Sequence, residues 1–571
     1  MPAEELIRIE NLRVEFLTDD ESVTAVDDIS FSLEKGKILG IVGESGSGKS
    51  VTALSILRLI EAPGKISGGE IFFNDSGRIK NLLKLDKRGI RKIRGNSISM
   101  IFQEPMTSLN PVYKCGPQVA EAILEHQEIS KKQAKQKVIE LFRELQLPRS
   151  EKIYDNYPHE LSGGQKQRVM IAMAMACEPD LLIADEPTTA LDVTVQKSIL
   201  AILKKLREKY NMGIIFISHD LGVIAEIADE VIVMKDGKIV EKASVNNIFN
   251  QPQHPYTKGL IACRPHLESN PERLPTVSDF LNNQEKSKTN FSAEKSSGKK
   301  TYQKQEEKPE RKAILTVSQL KTHFEQKAAL FQKAEVIKAV DNVSIHVFPG
   351  ETLGLVGESG CGKTTLGRSI LRLIEPSGGD IFFKGINLSK LNKKELRNTR
   401  KNIQVIFQDP YSSLNPRITV GNAVKEPMKV FKLYSTDKER RKKAEELLEK
   451  TGLTKAHYNR YPHELSGGQR QRVCIARALA VQPEFIICDE SVSALDVSVQ
   501  AQILNLLNDL KDDFGFSYIF ISHDLSVVKY MSDRIAVMKD GKIVELNEAD
   551  ELYRHPETDY TRKLIDSIPK M

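Results

Sequence analysis

Short apolar runs that end at polar or glycine-rich stretches recur along this chain. Lys37–Val42 (KILGIV), Leu181–Ala184 (LLIA) and Gly213–Ile217 (GIIFI) are apolar almost throughout, without the alternation of a half-exposed strand. Runs of this length and character read as strands buried on both faces. The first is followed by a glycine-rich turn and by SVTALSILRLIE, whose apolar spacing is helical. Apolar strands alternating with helices imply an α/β fold built on a mostly parallel sheet. Function is then expected at the C-terminal ends of the strands.

The pattern occurs twice. YPHELSGGQ begins at Tyr157 and again at Tyr461, VMKDGKIVE at Val233 and Val537, and ISHDL at Ile217 and Ile521. Each second copy stands 304 residues after the first. A period that long is a duplicated domain, not a solenoid repeat. Between the copies, residues 268–312 run through LNNQEKSKTNFSAEKSSGKKTYQKQEEKPERK, a Lys/Glu/Ser-rich stretch with too little apolar surface to fold alone. The expected organisation is a first domain over 1–267, a flexible polar linker over 268–312 and a second domain over 313–571. The less polar RLPTVSDFL near Arg273 is expected to pack on the first domain.

Composition narrows the class without naming it. At 571 residues the chain needs several cores. It is 40% hydrophobic and 28% charged, with 83 basic against 77 acidic residues, a net +6 that gives no reason to infer a nucleic-acid partner. No apolar run approaches the ~20 residues that span a bilayer, and Met1–Glu10 does not resemble a signal peptide. The six cysteines (Cys115, Cys177, Cys263, Cys361, Cys474 and Cys488) include no C-x-x-C pair, which fits reduced thiols.

The strand ends carry the chemistry. Gly43-Glu44-Ser45-Gly46-Ser47-Gly48-Lys49-Ser50, followed by Val51, matches G-x-x-x-x-G-K-[ST], and Gly357-Glu358-Ser359-Gly360-Cys361-Gly362-Lys363-Thr364, followed by Thr365, matches it again. Glycines there let backbone N–H groups converge on phosphate oxygens at the positive end of the next helix. Lys49 and Lys363 would neutralise phosphate charge, while Ser50 and Thr364 offer a hydroxyl to Mg²⁺. Asp185-Glu186 follows LLIA, and Asp489-Glu490 follows FIIC. The first carboxylate of each pair suits Mg²⁺ and the second suits a general base toward water. Cys361 places a thiol inside one phosphate loop, either as a reactive group or as packing.

Leu161-Ser162-Gly163-Gly164-Gln165 and Leu465-Ser466-Gly467-Gly468-Gln469 resemble the signature of ATP-binding-cassette (ABC) ATPases. The resemblance covers everything except the linker. It implies two P-loop cassettes in tandem, each with a RecA-like parallel-sheet core, an antiparallel β subdomain and a helical signature subdomain. Gln103 and Gln408 then correspond to the Q-loop glutamines, which also approach Mg²⁺; Leu191-Asp192 and Leu495-Asp496 to the D-loops; His219 and His523 to the switch histidines. Phe16 and Phe324 stand where the family stacks an aromatic on adenine, although a strand aromatic explains each equally well. The family pairs cassettes head to tail, so Ser466 and Gly468 would complete the site of Lys49, and Ser162 and Gly164 that of Lys363. Glu186 and Glu490 would be the bases, and ATP with Mg²⁺ the cofactors. Two positions depart from the family pattern: Ser491, where the first copy has Pro187, and Cys361 in the phosphate loop.

FQEPMTSLNP (Phe102–Pro111), FQDPYSSLNP (Phe407–Pro416) and His254-Pro255-Tyr256-Thr257 resemble the oligopeptide, dipeptide and nickel import branch, with a looser tail match from His555 through Pro556 to Thr561. That branch implies an ATPase energising import of peptides or similar solutes from the cytoplasmic face of the membrane. Its partners would be two integral-membrane permeases and an extracytoplasmic solute-binding protein, with one fused chain per transporter. A lone Cys263 near the tail does not support an iron–sulfur site. The rival, a soluble tandem-cassette ATPase acting on ribosomes or nucleic acid, needs a helical charged linker or inserted zinc-binding cysteines, and neither pattern is present.

Overall fold

The computed structural model describes residues 5–17, 22–103, 108–189, 191–265, 267, 271–282, 312–325, 336–493 and 495–568. They form two compact units, one up to Ile261 and one over Ala262–Ile568.

The first unit holds two sheets. Strands β1 (Glu5–Leu17), β2 (Ser22–Glu34), β4 (Gly64–Asp75) and β5 (Arg78–Asn81) form an antiparallel sheet in the order β2-β1-β4-β5. Here the apolar positions alternate: Ile7, Ile9, Leu12 and Val14 are buried, while Asn11 and Arg13 are exposed. The second sheet is the parallel one expected from the unbroken apolar runs. Strands β3 (Ile38–Val42), β6 (Ile98–Ile101), β7 (Leu181–Asp185), β8 (Gly213–Ile217) and β9 (Glu230–Lys235) are parallel neighbours, with β10 (Lys238–Ser244) antiparallel at the edge. Every residue of β3, β7 and β8 is buried, which is why these strands lack alternation. The sheets share one core, where Ile7, Ile9 and Phe73 of the antiparallel sheet join Ile183, Ile215 and Ile232 of the parallel one.

The helical part follows β6. Helices Cys115–His126, Lys131–Glu144 and Ser150–Asp155 pack together and against the helix Gly163–Met175. Ser162 Oγ begins that last helix by accepting a hydrogen bond from Gln165 N, and the Gln165 side-chain oxygen accepts one from Ser162 N. This capping box satisfies two orphan donors and is legible as S-x-x-Q in the sequence.

The second unit repeats the plan. Strands β11 (Leu315–Glu325), β12 (Val336–Val347), β14 (Gly378–Phe383) and β15 (Ile386–Asn387) form the antiparallel sheet. The other sheet runs β16 (Ile403–Ile406), β17 (Phe485–Asp489), β18 (Ser517–Ile521), β13 (Thr352–Val356), β19 (Arg534–Lys539), β20 (Lys542–Glu548). One expectation fails. The stretch around Arg273 belongs to the second unit, because Leu274 exchanges two backbone hydrogen bonds with the Asn505 side chain and is buried there. No described helix is long and apolar enough to cross a membrane.

Candidate ATP-hydrolysis sites

In each unit the parallel strands end at one edge. In the first, β3 leads into Gly43, β6 toward Gln103, β7 into Glu186 and β8 toward His219. In the second, β13, β16, β17 and β18 lead to Gly357, Gln408, Glu490 and His523. Parallel register thus gathers residues scattered along the sequence. Of the import-type Q-loop stretch, residues 104–107 lie outside the described residues.

The phosphate loops admit only glycine at two positions each. A Cβ on Gly43 would sit 2.2 Å from Met234 O, and on Gly48 (φ 98°) 2.5 Å from Ala25 O. The equivalent distances are 2.2 Å from Gly357 to Met538 O and 2.0 Å from Gly362 to Ala339 O. Ser45, Gly46, Ser359 and Gly360 form the exposed tips, whereas Val51 and Thr365 are half-buried in the first turn of the helices that follow. The buried Lys49 ammonium lies inside its loop, donating to Gly43 O at 2.8 Å and Glu44 O at 2.7 Å. Lys363 does the same toward Gly357 O (2.7 Å) and Glu358 O (3.0 Å). Cys361 replaces Ser47, with Sγ 3.8 Å from the Lys363 ammonium. Burial raises its pKa against the pull of Lys363, so the thiolate is disfavoured and packing is the better account.

At the mouth of each loop a hydroxyl meets a carboxylate. Ser50 Oγ donates to Asp185 Oδ1 at 3.0 Å, and Thr364 Oγ1 to Asp489 Oδ1 at 2.9 Å. Burial pushes Asp185 up to about 6 despite the Ser50 bond and the Lys49 charge, and Asp489 moves the same way for the same reason. A poorly solvated carboxylate beside a hydroxyl and an enclosed ammonium fits the charge pattern of a nucleotide phosphate with a divalent cation.

The second carboxylate is held from three sides. Glu186 Oε2 accepts from Gln103 Nε2 (3.1 Å) and Thr189 Oγ1 (2.9 Å) and lies 3.1 Å from His219 Nδ1. In the second unit Gln408 Nε2 donates to Glu490 Oε2 at 2.8 Å, and His523 Nδ1 stands 3.7 Å away. Burial opposes ionisation of Glu186, but the bond and charge of His219 outweigh it and hold the carboxyl at about 2. Glu490 is lowered by His523 in the same balance, and both histidines are raised by their glutamates against burial. Both glutamates have φ 49°, a left-handed backbone that costs a non-glycine residue on the order of 1 kcal/mol. The Glu186 N–H bond to Ile217 O and the Glu490 bond to Ile521 O, each 3.0 Å, anchor that conformation to the next strand.

The signature residues sit apart from this cluster in bonding. Ser162 and Ser466 cap their own helices with Gln165 and Gln469. Gly163 and Gly467 open those helices, and Gly164 and Gly468 pack on the helices that Asp192 and Asp496 cap. A Cβ at Gly164 would come 2.7 Å from Val195, and one at Gly468 2.4 Å from Val499. Phe16 is half-buried against the core, and Phe324 is 41% exposed. Pro187 and its counterpart Ser491 follow the glutamates, and Ser491 is buried beside the Cys488 thiol.

Two tyrosines of the tail motifs reach the site, a contact that the motifs themselves did not announce. Tyr256 Oη accepts a hydrogen bond from Glu44 N at 3.1 Å, and Tyr560 Oη accepts one from Glu358 N at 3.1 Å. Both belong to the tails after the cassettes and touch the phosphate loops directly. The tails start on a carboxylate: Glu241 accepts from Gln253 N and His254 N, and Glu545 from Glu557 N, Thr558 N and Thr561 Oγ1. The 304-residue period pairs Tyr256 with Tyr560 and His254 with Thr558, so the tail match is carried by Tyr-Thr and not by His555-Pro556. That signal was available in the sequence.

Two glycine-rich loops with an enclosed lysine, two Asp-Glu pairs and two histidines beside the glutamates, on duplicated α/β units, define a tandem ABC ATPase. The ABC transporter family model matches residues 26–189 and 340–493, and the chain belongs to that family. It belongs more narrowly to the peptide-import branch, since the oligopeptide/dipeptide transporter C-terminal region matches at 240–293 and 544–571. A curated relative, the glutathione import ATP-binding protein GsiA of Escherichia coli strain K12, is 46% identical over 577 residues, covering 100% of this chain and 90% of its own length. The GsiA of Pectobacterium atrosepticum is 45% identical over 581 residues with the same coverage. Among solved structures, the ATP-binding cassette MJ0796 bound to ADP and Pi is 31% identical with a TM-score of 0.38, over 41% of this chain and 99% of that one.

Replacing both Tyr256 and Tyr560 by Phe removes one acceptor from each phosphate loop. The expected result is weaker nucleotide binding by about 1 kcal/mol per site, roughly fivefold, in a fluorescent-nucleotide titration. Ser162→Ala should cost about 1 kcal/mol at the start of its helix, read as faster amide exchange over Gly163–Lys166.

Proposed function

We propose that this chain is the energy-coupling subunit of a membrane importer for glutathione or similarly small peptides. The observation that supports this is 46% identity to glutathione import ATP-binding proteins over the whole of this chain, spanning both cassettes and both tails. The chain works on the cytoplasmic face of the membrane through two permeases and receives cargo from an extracytoplasmic binding protein. One chain supplies both cassettes of a transporter.

Each ATP lies on one cassette's phosphate loop and is closed over by the signature of the other, Ser466 and Gly468 for the Lys49 site and Ser162 and Gly164 for the Lys363 site. Ser50, Asp185 and Gln103, with Thr364, Asp489 and Gln408, would hold Mg²⁺, which supplies charge neutralisation at the phosphates. Glu186 and Glu490 take the proton from the attacking water. In the structure Gln103 and Thr189 donate to Glu186 Oε2, and His219 Nδ1 stands 3.1 Å from the same oxygen. When His219 turns toward the γ-phosphate, Glu186 loses the bond and the charge that do most to hold its pKa down and becomes a stronger base. The same exchange of partner operates on Glu490 through His523.

Glu186→Gln with Glu490→Gln should leave ATP binding intact and lower hydrolysis at least about 10²-fold, trapping the closed dimer of cassettes. Native-rate hydrolysis by the double variant would remove both residues from the base role. For the transport role, a mild-detergent pull-down of the tagged chain from its native membranes should recover two different polytopic proteins. Uptake of labelled glutathione should vanish in cells lacking the chain and return with it. Recovery of ribosomes instead, or uptake unchanged by deletion, would overturn the importer reading.

A further inference from the structure

The segment that follows the first cassette ends its path on the second. Leu274 is 2% exposed, and its N–H and C=O both pair with the side-chain amide of Asn505, at 2.9 and 2.8 Å. Asn505 lies in the middle of the helix Val497–Phe514 and is itself 3% exposed. A buried amide is costly unless both ends are bonded, and here the backbone of Leu274 bonds both. The Tyr530 hydroxyl lies 3.1 Å from Asn505 Oδ1 and 3.4 Å from Glu272 O. Lys529 donates to Leu267 O, and Arg273 meets both oxygens of Asp509 at 3.1 Å. Val277, at the start of a short helix, is also buried.

The receiving residues exist in one cassette only. At the 304-residue offset, Asn505, Asp509, Lys529 and Tyr530 are matched in the first cassette by Ala201, Lys205, Ala225 and Glu226. Ala201 cannot pair with a backbone, and its position is exposed. Lys205 would repel Arg273 where Asp509 attracts it. Among the positions at which the two copies differ, these four each touch the one segment.

We propose that Leu267 and residues 271–277 form a clasp carried by the first half of the chain and read specifically by the second cassette. Its origin is fixed on the first cassette, because the tail helix Pro255–Ala262 carries Tyr256, bonded to the phosphate loop at Glu44. The halves are then joined through the few residues between Ala262 and Leu267, not through the whole of 262–312. Shortening the connection this way raises the effective concentration of one half at the other on the order of tenfold or more. The clasp keeps the cassettes together when no nucleotide bridges them, whatever the cargo is.

A protease site inserted within 283–311 tests this, since cleavage leaves the clasp on the first half. In EDTA and without nucleotide, the cleaved native halves should co-elute on size exclusion. Exchanging Asn505→Ala, Asp509→Lys, Lys529→Ala and Tyr530→Glu should reduce co-elution at least about tenfold. Arg273→Asp should weaken it with the second cassette untouched, and adding Asp509→Arg should restore it. Separation of the native halves overturns the proposal. Co-elution unchanged by both the fourfold exchange and Arg273→Asp overturns it equally, and failure of the reversed charge pair to restore co-elution removes Arg273–Asp509 from the clasp.

Discussion

Everything at the two sites depends on parallel pairing of short, fully buried strands. In β3, β7 and β8 each residue is buried, so the register is fixed by core packing on both faces and the strands end together. The loop that encloses Lys49, the carboxylates of Asp185 and Glu186 and the ring of His219 all leave from that edge. A slip in the pairing of β7 and β8 would part Glu186 from Ile217, whose carbonyl holds the glutamate in its left-handed backbone.

Neighbouring carboxylates are driven in opposite directions by that setting. Burial dominates at Asp185 and raises it to about 6, whereas at Glu186 the histidine overrides burial and holds it at about 2. A cation would relieve the first, and a change of partner by His219 would release the second. The arrangement recurs at Asp489, Glu490 and His523, with the histidine standing farther off at 3.7 Å.

Duplication gives two copies of each site, yet the copies differ where they meet the rest of the chain. Asn505 and Ala201 occupy the same place on the same helix, and only the asparagine is buried by a passing backbone. The phosphate loops are tied to their tails alike, through Tyr256 and Tyr560. Symmetry is thus kept at the chemistry and broken where the halves are connected.

The duplication, the parallel α/β cores and the phosphate-loop, Asp-Glu, signature and histidine residues were legible in the sequence. Each is set by local pattern: unbroken apolar runs, glycines at fixed spacing before Lys-Ser or Lys-Thr, and S-x-x-Q capping. Contacts between residues distant in sequence were not legible. Nothing local says that Gln103 reaches Glu186, that Tyr256 reaches Glu44, or that Leu274 lies against Asn505 and not on the first cassette. Those pairings span tens to hundreds of residues, and a single polar side chain in a helix or tail has no periodicity to announce its partner. The tertiary structure decided them, because burial removes water and leaves each such group only the partner that packing brings within reach.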